Sequence, residues 1–426
     1  GESGAGKTET AKFILQYLAY ASSSATGDLQ ERVMGANPIL ESFGCAQTIR
    51  NDNSSRFGKF VQLQFTKTGR LTAATVTTYL LEKCRVSAIS AGECNFHAFY
   101  EMCAGLVGAE RAAARLGSSP TETAYLHASR ARRAKRDVGR DGERYNRTRQ
   151  ALSACGVPPA AIADLWQMLA AVMALGEVQF GSGDEARCDS DAALDDAAAL
   201  LRVDLEALGT GLCARRFKAG QEWVTTRNST SQASEVRHAL ARQLYSSLFG
   251  WLVATINGSL TTGVAAGPYV EGGPTIGYVD IFGFEIFPSN SLEQLCINFA
   301  NEKLQRLFVG VLFDETQARY EREGVIVERT TYDDNQPVIE LVGGSSEFGP
   351  GVFGLLAEEC VFPKGSDASY LQKLVGACRK HPCFKELKTS VDCFGVLHYA
   401  SEVQYSVEGF LSKNKDPINQ DLQVLT

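Results

Sequence analysis

In residues 9–20 (ETAKFILQYLAY) the apolar positions Phe13, Ile14, Tyr17 and Leu18 recur at i, i+1, i+4 and i+5, a spacing that predicts a helix. Ser22–Asp28 is rich in Ser and Gly and predicts a loop, and Asn37-Pro38 predicts a second break. Alternation over Phe60–Phe65 and Leu71–Leu81 predicts paired strands. From about Asn95 to Leu260 the pattern turns Ala-rich and helical, interrupted at Ser118–Pro120 and Gly156–Pro159. The turn Gly272-Gly273-Pro274 then leads into Thr275–Asp280 (TIGYVD), which reads as a buried strand ending on Asp280. Ser291 and Gln294 have the spacing of a capping box for a long helix. Along that helix Leu304, Leu307, Phe308, Val311 and Leu312 recur at i, i+3, i+4, i+7 and i+8 and predict a core-facing stripe. The uncharged stretch Gln243–Val270 is interrupted by Ser, Thr, Asn and Gly, short of the roughly 18 consecutive apolar residues of a membrane span, so no transmembrane segment is expected.

Composition narrows this picture. A chain of 426 residues with 44% hydrophobic and 21% charged content can bury a core, which excludes disorder and collagen-like structure. Its net charge of -7 argues against a protein that works by neutralising a nucleic-acid backbone, and the basic cluster Arg130–Arg144 reads as a solvated face. Twelve cysteines without a secretory leader or regular spacing predict thiols in a reducing compartment. Cys378, Cys383, Cys393 and His398 form a C-x4-C-x9-C-x4-H array, but that spacing fits no common zinc finger. His97, His127 and His398 have no carboxylate or Cys partners at catalytic spacing and are assigned to packing. The chain opens on a glycine of a phosphate-loop motif with no initiator Met, so a segment of a longer protein is expected.

Three segments carry chemistry. Gly1-Glu2-Ser3-Gly4-Ala5-Gly6-Lys7-Thr8 satisfies G-x-x-x-x-G-K-[ST], whose glycines let backbone N–H groups reach phosphate while the lysine neutralises it and the hydroxyl meets Mg²⁺. The helix predicted to follow adds its positive end. Asn51–Phe60 (NDNSSRFGKF) gathers hydroxyls, amides and a guanidinium ahead of a strand, and Asp280–Glu285 (DIFGFE) puts a carboxylate at a strand end with a glycine beyond it. Taken singly, these could be a chance glycine turn, a polar surface loop and an ordinary strand exit. Their combination supplies the parts an NTPase needs.

Together GESGAGKT, NDNSSRFGKF and DIFGFE resemble the phosphate loop, switch I and switch II of the myosin family, in that family's order. ANPILESFGCAQTIRN (36–51), YLLEKCRV (79–86), NFHAFY (95–100), LEQLCINFANEKLQ (292–305), EECVFPKGSD (358–367) and GFLSKNKDP (409–417) extend the resemblance over nearly the whole chain. Kinesins share the three-part logic, but Phe57-Gly58-Lys59 and Phe282-Gly283-Phe284 are similar to the myosin pattern instead.

The resemblance implies an α/β P-loop NTPase core with a mixed, mainly parallel sheet, truncated here, and large helical actin-binding subdomains. It implies a nucleotide-binding core over 1–94, a helical upper actin-binding subdomain over 95–270, the switch II strand and loop over 271–290, and a relay helix with the lower actin-binding subdomain over 291–426. ATP and Mg²⁺ are the implied ligands, with Gly1, Glu2, Ser3, Gly4, Ala5, Gly6, Lys7 and Thr8 around the phosphates and Thr8, Ser55 and Asp280 serving the metal. Asn51, Ser54, Arg56, Gly283 and Glu285 take the implied catalytic roles: phosphate contact, proton relay, an Arg56–Glu285 gate and a γ-phosphate contact. Glu222 and the knob Val361, Phe362, Pro363 and Lys364 are the implied actin contacts. A cytoplasmic, cytoskeletal motor follows, with actin filaments as partner and light chains or calmodulin on a neck outside this chain. The competing expectation is an actin-attached nucleotide sensor without turnover.

The sequence departs from the family pattern at Ala174-Leu175-Gly176-Glu177, at His238 and at Ser401. Val325-Ile326-Val327 follows Glu323-Gly324 where the family usually carries a tryptophan. None of these departures touches the phosphate motifs.

Overall fold

The computed structural model describes residues 5–22, 27–90, 92–117, 122–127, 138–181, 185–189, 191–219, 222–261, 273–328, 331–362, 364–387, 390–415 and 422. They belong to two compact units, one of residues 6–282 with 417–426 and one of residues 283–416 with 1–5.

In the first unit the predicted N-terminal helix runs over Lys7–Ala21. Its buried positions include Ala11 and Leu15, whereas Phe13, Ile14 and Tyr17 are exposed. The next helix, Gly27–Gly44, passes through Pro38 without breaking. Proline inside a helix costs about 3 kcal/mol, but Ile39, Leu40 and Phe43 directly after it are all at most 3% exposed, and that burial outweighs the local penalty.

The predicted strand pair is β3 (Gly58–Phe65) and β4 (Leu71–Tyr79), after the two-residue strands β1 (Cys45–Ala46) and β2 (Ser54–Ser55). A turn in which Thr66 donates its N–H to Arg70 O, with Gly69 in the left-handed region at φ 82, closes the hairpin. So short a connection can only join antiparallel strands. The other edge of β3 takes β7 (Thr275–Asp280), also antiparallel, with Lys59 opposite Asp280. Among the described residues every strand pair is antiparallel, which corrects the expected mainly parallel sheet. The expectation of a buried β7 is corrected too: Ile276 and Val279 are exposed, because β7 is an edge of the described sheet, and only Asp280 is buried.

Helices dominate the rest of this unit. Pro159–Glu177 is long and apolar enough to cross a membrane by length and composition, yet 56% of it is buried, and Trp166, Leu169 and Leu175 sit in the core. The 32-residue helix Thr230–Thr261 packs beside it, and Tyr245 OH reaches Phe43 O at 2.7 Å. The hairpin β5 (Ala214–Ala219) and β6 (Glu222–Arg227) precedes that long helix.

Close packing gives one test of this core. A Cβ on Gly44 would overlap the ring of Phe57, itself 3% exposed. Gly44→Ala is therefore expected to destabilise the chain by about 1–3 kcal/mol, read as a lower midpoint in urea unfolding. An unchanged midpoint would show that Phe57 yields freely.

In the second unit the helix Leu292–Val309 starts as the capping spacing predicts, Ser291 donating its N–H to Gln294 Oε1 at 3.0 Å. Its buried positions include Leu292, Leu295, Asn298 and Glu302. The stripe expected to face the core does not: Leu307, Phe308, Val311 and Leu312 are 62%, 55%, 45% and 48% exposed. Past Val309 the helix widens into a π-helical segment, Gly310–Glu315, with no buried residue. The real core gathers Leu295, Val342, Leu356 and Tyr370 against Phe394, Tyr405 and Phe410. It is roofed by the antiparallel sheet of β8 (Phe384–Glu386), β9 (Cys393–Leu397) and β10 (Glu402–Ser406).

Candidate functional site

Gly1–Gly4 lie outside the described residues, and Ala5 is exposed. Gly6 caps the first helix with φ 83 and ψ 13, a conformation that glycine adopts without strain, and its carbonyl accepts the Thr10 N–H at 2.8 Å. Lys7 and Thr8 thereby open the helix, where uncapped N–H groups collect. Thr8 Oγ1 donates to Asp280 Oδ1 at 3.0 Å, across 272 positions of sequence. The other carboxylate oxygen of Asp280 meets Lys59 Nζ at 3.3 Å, both side chains at most 7% exposed. Two predicted site residues are thus brought together, and Lys59, which stood in the motif without a role, joins them through the β3–β7 register.

The switch-like segment is built from turns. Thr48 Oγ1 and Asn51 exchange hydrogen bonds at 3.2 Å, Asn51 Oδ1 accepts the Asn53 N–H at 3.0 Å, and buried His97 holds Asn53 Oδ1 at 3.0 Å. Ser54 is buried and accepts from Arg56 Nη1 at 3.2 Å, while Ser55 Oγ lies 3.7 Å from Cys45 Sγ.

Arg56 is 1% exposed, and its Nε donates to Glu82 Oε2 at 2.7 Å. Arg85 shares that oxygen at 2.7 Å and reaches Glu93 Oε2 at 2.7 Å. Burial alone would raise the Glu82 pKa, but the two guanidiniums outweigh it and hold the carboxyl at about 2. Sequence reasoning missed Glu82, Arg85 and Glu93. The signal for Glu82 and Arg85 was the presence of opposite charges, with Lys83, in the segment 79–86; Glu93 had none.

Gly283 and Glu285 belong to the second unit, and both are buried. Glu285 donates its N–H to Asn298 Oδ1 at 2.9 Å, and its carbonyl accepts from Asn298 Nδ2 at 2.8 Å. Gln294 Nε2 reaches its carboxylate at 3.3 Å. The same Asn298 amide meets Tyr405 OH at 2.9 Å, and Tyr405 OH meets His398 Nε2 at 2.8 Å. His398 Nδ1 lies 2.9 Å from Glu302 Oε1, both side chains fully buried. His398 is packed in the core as assigned, and folding brings it a carboxylate partner from 96 positions away that no sequence spacing announced.

The segment 358–367 lies across two helices, Gly351–Val361 and Asp367–Cys378, joined by a short loop. At its tip Val361 is 84% and Phe362 59% exposed, with Lys364 exposed beside them. Pro363 and the Glu222 side chain lie outside the described residues, though Glu222 pairs with Ala219 in the β5–β6 hairpin. Among the described residues no three His, Cys, Asp or Glu side chains are grouped to hold a metal ion.

The family model for the myosin head (motor domain) matches residues 1–426. The chain belongs to the myosin motor-domain family. Among curated myosins, Myosin-13 of Arabidopsis thaliana is 38% identical over 435 residues, covering 100% of this chain and 28% of that protein. Myosin-17 of the same plant is 40% identical over 439 residues, again 100% of this chain and 28% of the relative. Myosin IE heavy chain of Dictyostelium discoideum is 37% identical over 443 residues, 99% of this chain and 43% of that protein. The chain thus spans less than half the length of these myosins.

Proposed function

We propose that this chain forms the nucleotide-handling and filament-binding part of an actin-based motor that hydrolyses ATP. The observation that carries the reading is the contact of Thr8 with Asp280, the hydroxyl after the phosphate-loop lysine against the carboxylate at the end of β7. Hydroxyl and carboxylate oxygens are the hard donors Mg²⁺ prefers, so Thr8, Ser55 and, through water, Asp280 fit that ion. When bound, it supplies positive charge to phosphate oxygens.

Each remaining residue has a role in this reading. The amides of Gly1–Gly6 and the Lys7 ammonium receive the phosphates at the helix start. Asn51 steadies the nucleotide, Ser54 passes on the proton of the attacking water, and the Gly283 N–H meets the γ-phosphate. Arg56 and Glu285 act as the gate of the hydrolysing state. Such chemistry is mostly positioning and charge stabilisation, which needs no nucleophilic side chain.

Residues 1–94 serve as the nucleotide core, 95–270 as the upper and 291–426 as the relay and lower actin-binding parts, with 271–290 as the switch between them. Exposed Val361 and Phe362 beside Lys364 support a filament contact, an apolar centre with a charged rim. Pro363 and Glu222 are further filament contacts in this reading. The motor works in the cytoplasm on the cytoskeleton, its neck carrying light chains or calmodulin.

A heavy chain containing this segment is expected to sediment with filamentous actin and to be released by MgATP. Sedimentation indifferent to ATP overturns the reading. Arg56→Ala and Glu285→Ala are each expected to keep ATP-induced release while lowering steady-state hydrolysis by about a hundredfold or more. Release with no hydrolysis in the unmodified protein would instead favour a nucleotide sensor.

A further inference from the structure

Two thiols of the first unit touch. Cys188 Sγ and Cys213 Sγ are 3.5 Å apart, and neither takes part in a disulfide. A disulfide bond is ~2.05 Å long, so bonding requires only a small approach.

The backbone holds the pair in place. Cys213 ends the helix Leu205–Cys213, where the chain enters β5, and its carbonyl accepts the Asn228 N–H at 2.8 Å. Asn228 O in turn accepts the Ala186 N–H at 2.8 Å, two positions before Cys188. Asn228 is 4% exposed, and its side-chain amide donates to Leu212 O at 3.0 Å. Cys188 itself bridges to Phe180 in an antiparallel pair. Both cysteine-bearing segments therefore hang on one buried asparagine, and the sulfur contact follows from the fold rather than from a chance rotamer. Ala186 and Ala233, both fully buried, wall the pair in.

The two thiols differ in access: Cys188 is half-buried, whereas Cys213 is 5% exposed. We propose that Cys188 and Cys213 form a redox-active pair, an oxidation site at the foot of the β5–β6 hairpin that closes reversibly to an intramolecular disulfide.

Glutathione disulfide serves as the oxidant. The accessible Cys188 thiolate attacks one of its sulfurs, the glutathione S–S bond breaks, and one glutathione thiolate leaves. Cys213 then attacks Cys188 Sγ in the mixed disulfide and expels the second glutathione. Two protein thiols and one glutathione disulfide become one protein disulfide and two glutathione thiols, so the electrons balance. Excess reduced glutathione runs the exchange backwards.

The electrostatics bear on the second step, in which Cys213 attacks. The hydrogen bond with Cys188 lowers the Cys213 pKa, burial opposes that, and the Arg227 charge adds to the lowering. Burial pushes the Cys45 and Cys296 thiols the other way, to about 12. A disulfide at this place would tie the start of β5 to the 185–189 segment whether or not the hairpin meets a filament.

The test is incubation of the whole chain with glutathione disulfide, alkylation of remaining thiols, and peptide mapping under non-reducing conditions. A Cys188–Cys213 cross-linked peptide is expected as the main intramolecular disulfide, abolished by dithiothreitol. In Cys188→Ser it is expected to vanish without Cys213 joining another cysteine. As a second readout, phenylarsine oxide, which bridges two close thiols, is expected to protect both cysteines from alkylation in the unmodified chain and to lose that protection in Cys188→Ser. Cys213→Ser is expected to lose the cross-link too, and should it fail to fold, the Cys188→Ser variant decides. Separate alkylation of both cysteines after oxidation, or a cross-link that forms only in denaturant, would overturn the proposal.

Discussion

Glu82→Ala is expected to destabilise the first unit by about 3–5 kcal/mol, the cost of leaving buried charge without its partner. Arg56 and Arg85 are 1% and 3% exposed and share one oxygen of Glu82, so its removal takes from both guanidiniums a carboxylate that they hold in common. Glu82→Gln, which keeps the shape and loses the charge, should fall between the alanine variant and the unmodified chain. The pH dependence has a definite sign. The Glu82 carboxyl is lowered from an ordinary 4.5 to about 2, so its contribution is complete above the ordinary value and is lost as pH falls towards 2. Integrated over that window it amounts to about 3 kcal/mol. Urea unfolding at pH 7 and near pH 3 should show the unmodified chain losing more stability than Glu82→Gln. Equal midpoints for the two proteins at pH 7 would mean that the network contributes nothing.

Local causes of this fold are legible in the sequence, and distant ones are not. The helix Lys7–Ala21, the β3–β4 hairpin and the start of Leu292–Val309 were legible because their causes lie within a few residues: periodicity, a glycine turn and a capping box. Asp280 at the end of a strand was legible for the same reason. Pro38 misled because proline reports only its local cost, whereas the burial of Ile39, Leu40 and Phe43 is a property of the whole unit. The stripe from Leu307 to Leu312 misled in the opposite direction, since periodicity tells which residues share a helix face but not what that face meets.

Charge partners were the least legible of all. His398 finds Glu302, Lys59 finds Asp280 and Arg56 finds Glu82 across 96, 221 and 26 positions, and no spacing rule covers such separations. Even so, each basic or imidazole group lay inside a segment already quoted for its motif or set aside for packing. Residue type marked these places, and only the fold could supply the carboxylates.

Glu302→Ala is expected to cost a further 3–5 kcal/mol or so, this time in the second unit, and to reach Glu285 without touching it. Glu302 is fully buried and accepts from Asn335 Nδ2 at 2.5 Å, from the Tyr399 N–H at 3.0 Å and in a 2.9 Å contact with His398 Nδ1. Alanine takes the carboxylate from the Tyr399 N–H and His398 Nδ1 in a dry interior, where each orphaned group costs about 1–3 kcal/mol, while Asn335 Nδ2 keeps its 2.8 Å bond to the carbonyl of residue 302. Glu302→Gln keeps one acceptor but turns an N–H₂ towards Asn335 or His398, so a smaller loss is expected. From His398 the hydrogen bonds continue through Tyr405 to Asn298, which clamps both the N–H and the carbonyl of Glu285. If this chain of contacts orients the Glu285 backbone, Glu302→Gln should increase hydrogen exchange at the Glu285 amide in a protein that is still folded. Destabilisation with unchanged protection at Glu285 would confine Glu302 to holding the core together.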